Sequence, residues 1–146
     1  MIRVLVVEDQ KIMQKYFEYM LSQEPEFKHV QTVADAEEAV GICSYSAIDI
    51  VLMDVQTFHN HDGLKAGKAI REACPHTKIL IVTSLIDPKV LESAKSGCAD
   101  SLSISNCLGL ISPLVIQFNS ASGDTSGKTC SPLAVRRITS LISSSP

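Results

Sequence analysis

The run Ile48-Asp49-Ile50-Val51-Leu52-Met53-Asp54 limits the fold of this chain more than any other stretch. Four large apolar residues in succession leave no polar side to face water. Such a run fits a strand covered on both faces, as in a parallel sheet wrapped by helices. It stops at a carboxylate. An unpaired ionised Asp inside the strand would be very costly to bury, so Asp54 belongs at the strand's carboxyl end. That is the edge at which open α/β sheets bind ligands. Taken alone, the run allows Asp54 simply to start the next turn or cap a helix.

Two further runs repeat the pattern. Ile2-Arg3-Val4-Leu5-Val6-Val7 ends in Glu8-Asp9, and Lys78-Ile79-Leu80-Ile81-Val82 ends in Thr83-Ser84. Between them lie helix signals. Lys11 to Gln23 places Ile12, Met13, Tyr16, Phe17, Met20 and Leu21 on one face, and Pro25 closes it. A short strand is expected over 29–33. Asp35 is a candidate N-cap for a helix through Ala39, Val40 and Cys43. Gly63 precedes a helix over 64–73, closed by Pro75. Asp87-Pro88 opens another over 89–96, stopped by Gly97. Ala99-Asp100-Ser101-Leu102 is expected to lead into a fifth strand. Strands alternating with helices over short links imply βαβ units, so the polar strand ends converge on one rim.

A chain of 146 residues is one domain's worth, and its net charge of -3 gives no basic field for nucleic acid. The chain enters a strand without a charged-then-apolar leader, and no apolar run is long enough for a bilayer. A cytoplasmic protein is the expectation. Cys43, Cys74, Cys98, Cys107 and Cys130 are odd in number and lack C-x-x-C spacing, which favours free thiols over zinc or a disulfide framework.

Carboxylates crowded at one rim repel unless a cation joins them. Oxygen donors with room for water suit Mg²⁺, and an Asp beside it can accept a phosphoryl group as an acyl phosphate. A nearby hydroxyl, such as that of Thr83, can then hydrogen-bond a phosphoryl oxygen.

At this point the sequence resembles the response-regulator receiver domains of two-component signalling. The resemblance rests on Val4-Leu5-Val6-Val7-Glu8-Asp9, Asp49-Ile50-Val51-Leu52-Met53-Asp54, Asp62-Gly63-Leu64, Ile81-Val82-Thr83-Ser84 and Gly97-Cys98-Ala99-Asp100-Ser101. The motif order is most like the subfamily with a C-terminal helix-turn-helix DNA-binding domain. The resemblance implies a flavodoxin-like five-stranded parallel sheet with helices on both faces. Asp54 would be the phosphoacceptor. Glu8, Asp9, Asp54 and the backbone carbonyl of Gln56 would hold Mg²⁺, and Thr83 would be the switch hydroxyl. The implied partners are a sensor histidine kinase and a second copy of the chain. DNA would be reached only through an output domain outside these residues, and no membrane is involved. The protein would be a switch involved in transcription regulation, with self-catalysed phosphotransfer and slow autodephosphorylation, rather than a metabolic enzyme.

The chain departs from the family in three places. Thr57-Phe58-His59-Asn60-His61 replaces the usual Met-Pro pair and adds a residue before Asp62-Gly63. The family Lys position is occupied by Ser105 and the aromatic switch position by Leu102. Weaker coupling and slower phosphorylation are expected from the missing Lys. Composition also shifts: residues 1–102 hold 25 charged side chains, residues 103–146 only four, with 11 serines. The receiver core is therefore taken as 1–102. The tail, 103–146, reads as a divergent, disordered or out-of-frame segment, and the fifth strand and fifth helix stand in doubt. Within it, Leu114–Phe118 followed by Ser120–Thr129 imitates a phosphate-binding loop but lacks its first Gly.

Two alternatives remain. A non-phosphorylated pseudo-receiver would keep the fold as an interaction module. An Asp-nucleophile phosphatase would want a second Asp two residues after the nucleophile, where Gln56 stands.

Overall fold

The computed structural model describes residues 1–55, 62–83, 89, 92, 101–104 and 114–117; for Thr83, 101–104 and 114–117 it describes the backbone alone. Strands β1 (Ile2–Val7), β2 (Phe27–Val33), β3 (Ile50–Met53), β4 (Lys78–Thr83), β5 (Ser101–Ile104) and β6 (Leu114–Gln117) form one sheet in the order β2-β1-β3-β4-β5-β6. The first five are parallel and follow the doubly wound order 2-1-3-4-5. This is the expected flavodoxin-like sheet, with the doubted fifth strand present at Ser101–Ile104.

The sheet does not end there. β6 pairs antiparallel with β5, Leu102 opposite Ile116, so among the described residues the sheet has six strands rather than five. Leu114–Gln117 is thus an added edge strand. Of the helix expected over 89–96 only Lys89 and Glu92 are described, both in helical conformation; the loop that imitates a phosphate-binding turn and the Asp87-Pro88 cap lie outside the described residues.

Among the described residues three helices pack on the sheet: α1 (Lys11–Ser22), α2 (Ala36–Tyr45) and α3 (Gly63–Ala73). Alternation along the central strands decides what each helix meets. Leu5, Val7, Val51, Met53, Ile79 and Ile81 face α2 and α3, meeting Ala39, Ile42, Cys43, Ala66 and Ile70. Val4, Val6, Ile50, Leu52, Leu80 and Val82 face α1, meeting Phe17, Met20 and Leu21. Strands buried on both sides have no room for polar residues, which explains their unbroken apolar runs.

The buried face of α1 differs from the expected one. Ile12 is 78% exposed, whereas Gln14 is buried with Phe17, Met20 and Leu21. Asp35 caps α2 as expected, accepting from the Glu37 amide at 2.9 Å. Asp62 caps α3, accepting from the Leu64 amide at 2.8 Å and the Lys65 amide at 3.4 Å. Asp49 leads into β3 and ties it to β1 by accepting from the Arg3 amide at 2.7 Å. No helix among the described residues is long and apolar enough to cross a membrane.

The α1 assignment makes a clear prediction. Phe17→Ala should cost about 4 kcal/mol, the usual range for an emptied aromatic core site. Ile12→Ala should change stability by less than about 0.5 kcal/mol, as exposed sites do. Urea unfolding of the two variants checks this; equal losses would refute the orientation of α1.

Candidate metal and phosphoacceptor site

Parallel register builds the site. β1 and β3 are neighbours, with Val7 level with Met53. One residue further, Glu8 and Asp54 therefore emerge together at the carboxyl rim. The Asp54 amide donates to the Val7 carbonyl at 3.0 Å, and the Glu8 amide donates to the Val33 carbonyl at 2.9 Å. These bonds carry the ladder to the acidic residues. The strand order reverses direction between β1 and β3, and a crevice opens at such a point.

Glu8, Asp9 and Asp54 each present a carboxylate oxygen, and these three oxygens lie within 4.8 Å of one another. Glu8 is 5% exposed and Asp54 is half-buried. Burial pushes the Glu8 carboxyl up to about 7; the Gln10 backbone amide opposes this, while Asp54 and Asp9 add to it by repulsion. The Gln10 amide donates to Glu8 Oε1 at 2.9 Å, and the Val55 amide donates to Asp54 Oδ1 at 2.8 Å. These two bonds orient carboxylates without neutralising them. A divalent cation would replace the repulsion with attraction. The donor set is all oxygen and lies at an open crevice edge, so it fits a partly hydrated Mg²⁺.

Of the residues expected at the site, the structure brings Glu8, Asp9 and Asp54 together. Thr83 ends β4, which pairs with β3 so that Met53 is level with Ile81; its backbone stands at the same rim. Leu102 lies in β5, level with Ile81. Gln56, His59, His61 and Ser105, and the side chains of Thr83 and Leu102, lie outside the described residues.

The sequence reading missed what two supporting residues do. Gln14 reaches back from α1, its Nε2 donating to the Glu8 carbonyl at 2.5 Å, while its Oε1 accepts from Lys11 Nζ at 3.3 Å. A buried polar residue must find partners, so Gln14 braces the turn that carries the acidic pair. The visible signal was a glutamine in register with Phe17 and Leu21. Gly63 is the second. Its amide donates to the Val55 carbonyl at 2.8 Å, and a Cβ there would sit 1.9 Å from the Asp54 carbonyl oxygen. The start of α3 thus presses directly on the backbone of Asp54, and only glycine permits that approach.

Comparison with known proteins agrees with this geometry. A family model described as the response regulator receiver domain matches residues 4–103. A protein-glutamate methylesterase/protein-glutamine glutaminase of Nitrosospira multiformis is 34% identical over 88 residues, covering 60% of this chain and 24% of that protein. The uncharacterized transcriptional regulatory protein YxjL of Bacillus subtilis is 28% identical over 102 residues, covering 69% and 46%. The chain thus spans less than half the length of these relatives. The crystal structure of the response regulator domain of Thermotoga maritima CheB matches with 30% identity and a TM-score of 0.61, over 67% of this chain and 73% of that one.

Two predictions follow from the packing and the charge. Gly63→Ala should destabilise the fold by about 1–3 kcal/mol, as overpacking does, and weaken Mg²⁺ binding by displacing Asp54; calorimetric titration and urea unfolding measure both. For Glu8, the folded value of about 7 lies above the unfolded 4.5. A group raised in this way stabilises the fold below its unfolded value, and that contribution is lost as pH rises towards 7. Without a cation, stability should therefore fall by up to about 3 kcal/mol between pH 4.5 and 7.5, since each unit is worth about 1.4 kcal/mol. Glu8→Gln should flatten the slope. A slope unchanged in the variant would show that Glu8 is not its source.

Proposed function

The chain belongs to the response regulator receiver domain family, and from that premise we propose that it is a Mg²⁺-dependent phosphorelay switch whose phosphoacceptor is Asp54. The observation that carries the reading is the convergence of Glu8, Asp9 and Asp54 at the β1/β3 crevice. Asp54 is the acceptor because it directly ends the central strand and is held from behind by Gly63. Glu8 and Asp9, with Asp54 itself and the Gln56 carbonyl, would hold the cation.

In the proposed reaction, a carboxylate oxygen of Asp54 attacks the phosphorus of a phosphohistidine on a sensor kinase. An O–P bond forms, the N–P bond breaks, and the departing imidazole takes up a proton. Bound Mg²⁺ would supply charge compensation for the phosphoryl oxygens. The Val55 amide, already donating to Asp54 Oδ1, restrains the carboxylate. Thr83, at the end of the adjacent strand, is the proposed switch hydroxyl that a phosphoryl group would draw in. Ser105 provides no cation at the family Lys position, so phosphorylation should be slow and weakly coupled to the outer helices.

The output is proposed to be transcriptional, as in the relative named for that role, with DNA reached through a domain outside these residues. A cytoplasmic location and a homodimer belong to the same proposal. Residues 1–102 are proposed as the receiver core and 103–146 as an atypical tail, of which Ser103–Ile104 and Leu114–Gln117 pair into the core sheet. A family-like continuation in another reading frame after codon 102 would support that division, and its absence in every frame would remove the out-of-frame explanation.

Incubation of the full chain with acetyl phosphate and Mg²⁺ should give a hydroxylamine-sensitive phosphoryl label on Asp54. The label should vanish in Asp54→Asn and without Mg²⁺. A well-folded protein that binds Mg²⁺ yet takes no label would instead be a receiver fold kept for binding alone. Ser105→Lys should raise the labelling rate.

A further inference from the structure

The rim opposite the acidic site carries a separate chemistry. A cleft of about 710 Å³ opens between the turn that follows α2 and the turn that follows α3. Cys43, Asp49, Cys74, His76 and Thr77 are among its lining residues. Two of the five cysteines in the sequence therefore meet at one place, although 31 residues separate them. Cys74 Sγ donates to the Cys43 carbonyl oxygen at 3.1 Å, so its sulfur rests against the backbone of the other cysteine. Both residues also belong to the same apolar cluster between α2, α3 and the sheet.

The surrounding backbone holds this arrangement. Cys74 is the C-cap of α3, its amide donating to the Ile70 carbonyl at 2.6 Å, and its carbonyl accepts from the Thr77 amide at 3.0 Å. Thr77 Oγ1 donates to the Ile48 carbonyl at 2.9 Å and ties the two turns together. The thiols differ in access. Cys43 is buried, whereas Cys74 is half-buried at the cleft. A disulfide needs Cα atoms no more than about 7 Å apart, a condition that close approach of one sulfur to the other residue's backbone favours.

We propose that Cys43 and Cys74 form an oxidative modification site, closing to a disulfide that pins the end of α2 to the end of α3. The oxidant is a hydroperoxide. Cys74 sulfur attacks the peroxide; an S–O bond forms, the O–O bond breaks, sulfur is oxidised to sulfenic acid, and the proton leaves with the released alcohol or water. Cys43 sulfur then attacks Cys74 sulfur. The S–S bond forms, the S–O bond breaks, and the Cys43 proton leaves with hydroxide as water. Burial, with the Cys74 thiol adding to it, pushes the Cys43 thiol up to about 12. Oxidation begins at Cys74 because it is the more accessible thiol, and closure by the buried Cys43 is slow.

The test uses the full chain treated with hydrogen peroxide, alkylated, and digested without reduction. Mass spectrometry should find a Cys43–Cys74 linked peptide as the main product. The Cys74 thiol should disappear first and the Cys43 thiol after it, and the melting temperature should rise by roughly 5–10 °C once the link closes, reversibly with dithiothreitol, as loop closure of this length implies. Cys74→Ser should remove the linked peptide and the rise together. The proposal is overturned if Cys74 resists oxidation, stops at sulfinic acid with Cys43 still alkylatable, or links instead to Cys98, Cys107 or Cys130. The outcome is independent of phosphoryl transfer at Asp54, which lies at the other end of the strands.

Discussion

Parallel pairing of β1 with β3 is the constraint on which the site depends. Each strand is apolar because both its faces are covered, and each ends where the cover ends. Once Val7 is level with Met53, the next residue of each strand emerges at the same height. Crowding of carboxylates is thus a consequence of register and not of any local motif. Asp9 follows in the turn and completes an oxygen cluster within 4.8 Å.

The same arrangement sets stability against function. Glu8 is held almost out of water, beside two other acids, with a value near 7. A neutral side chain there would suit the fold better. The carboxylate would gain its advantage only with a cation in the crevice, because metal binding favours the deprotonated form that burial opposes. The backbone responds by bracing. Gln14 holds the turn from one side and Gly63 presses on Asp54 from the other. The two helices that flank the crevice are therefore in contact with the acidic residues through hydrogen bonds and packing, one from each face of the sheet.

Most of the element pattern was legible in the sequence. The apolar runs, the Asp35 cap and the stop at Pro75 need only nearest-neighbour chemistry, and each stands where expected within two residues. The acidic trio was also legible, since a carboxylate closing an apolar strand has one physically acceptable location. The face of α1 was read less well. Counting apolar residues put Ile12 in the core and overlooked Gln14, because hydropathy carries no record of a carbonyl across the turn that needs a donor. β6 was also missed as a sheet member: a four-residue apolar run does not say which edge it will join, or in which direction.

From the order of residues alone came the layers of the fold and the carboxylates that meet at its rim, for polarity and periodicity are properties of neighbours in the chain. Folding alone decided that the Asp54 carbonyl leaves no space for a Cβ at Gly63, and that Cys74 rests on Cys43. Those facts join residues many positions apart through distances of a few ångströms. Such distances are set by how helices and strands pack, and no local rule of composition contains them.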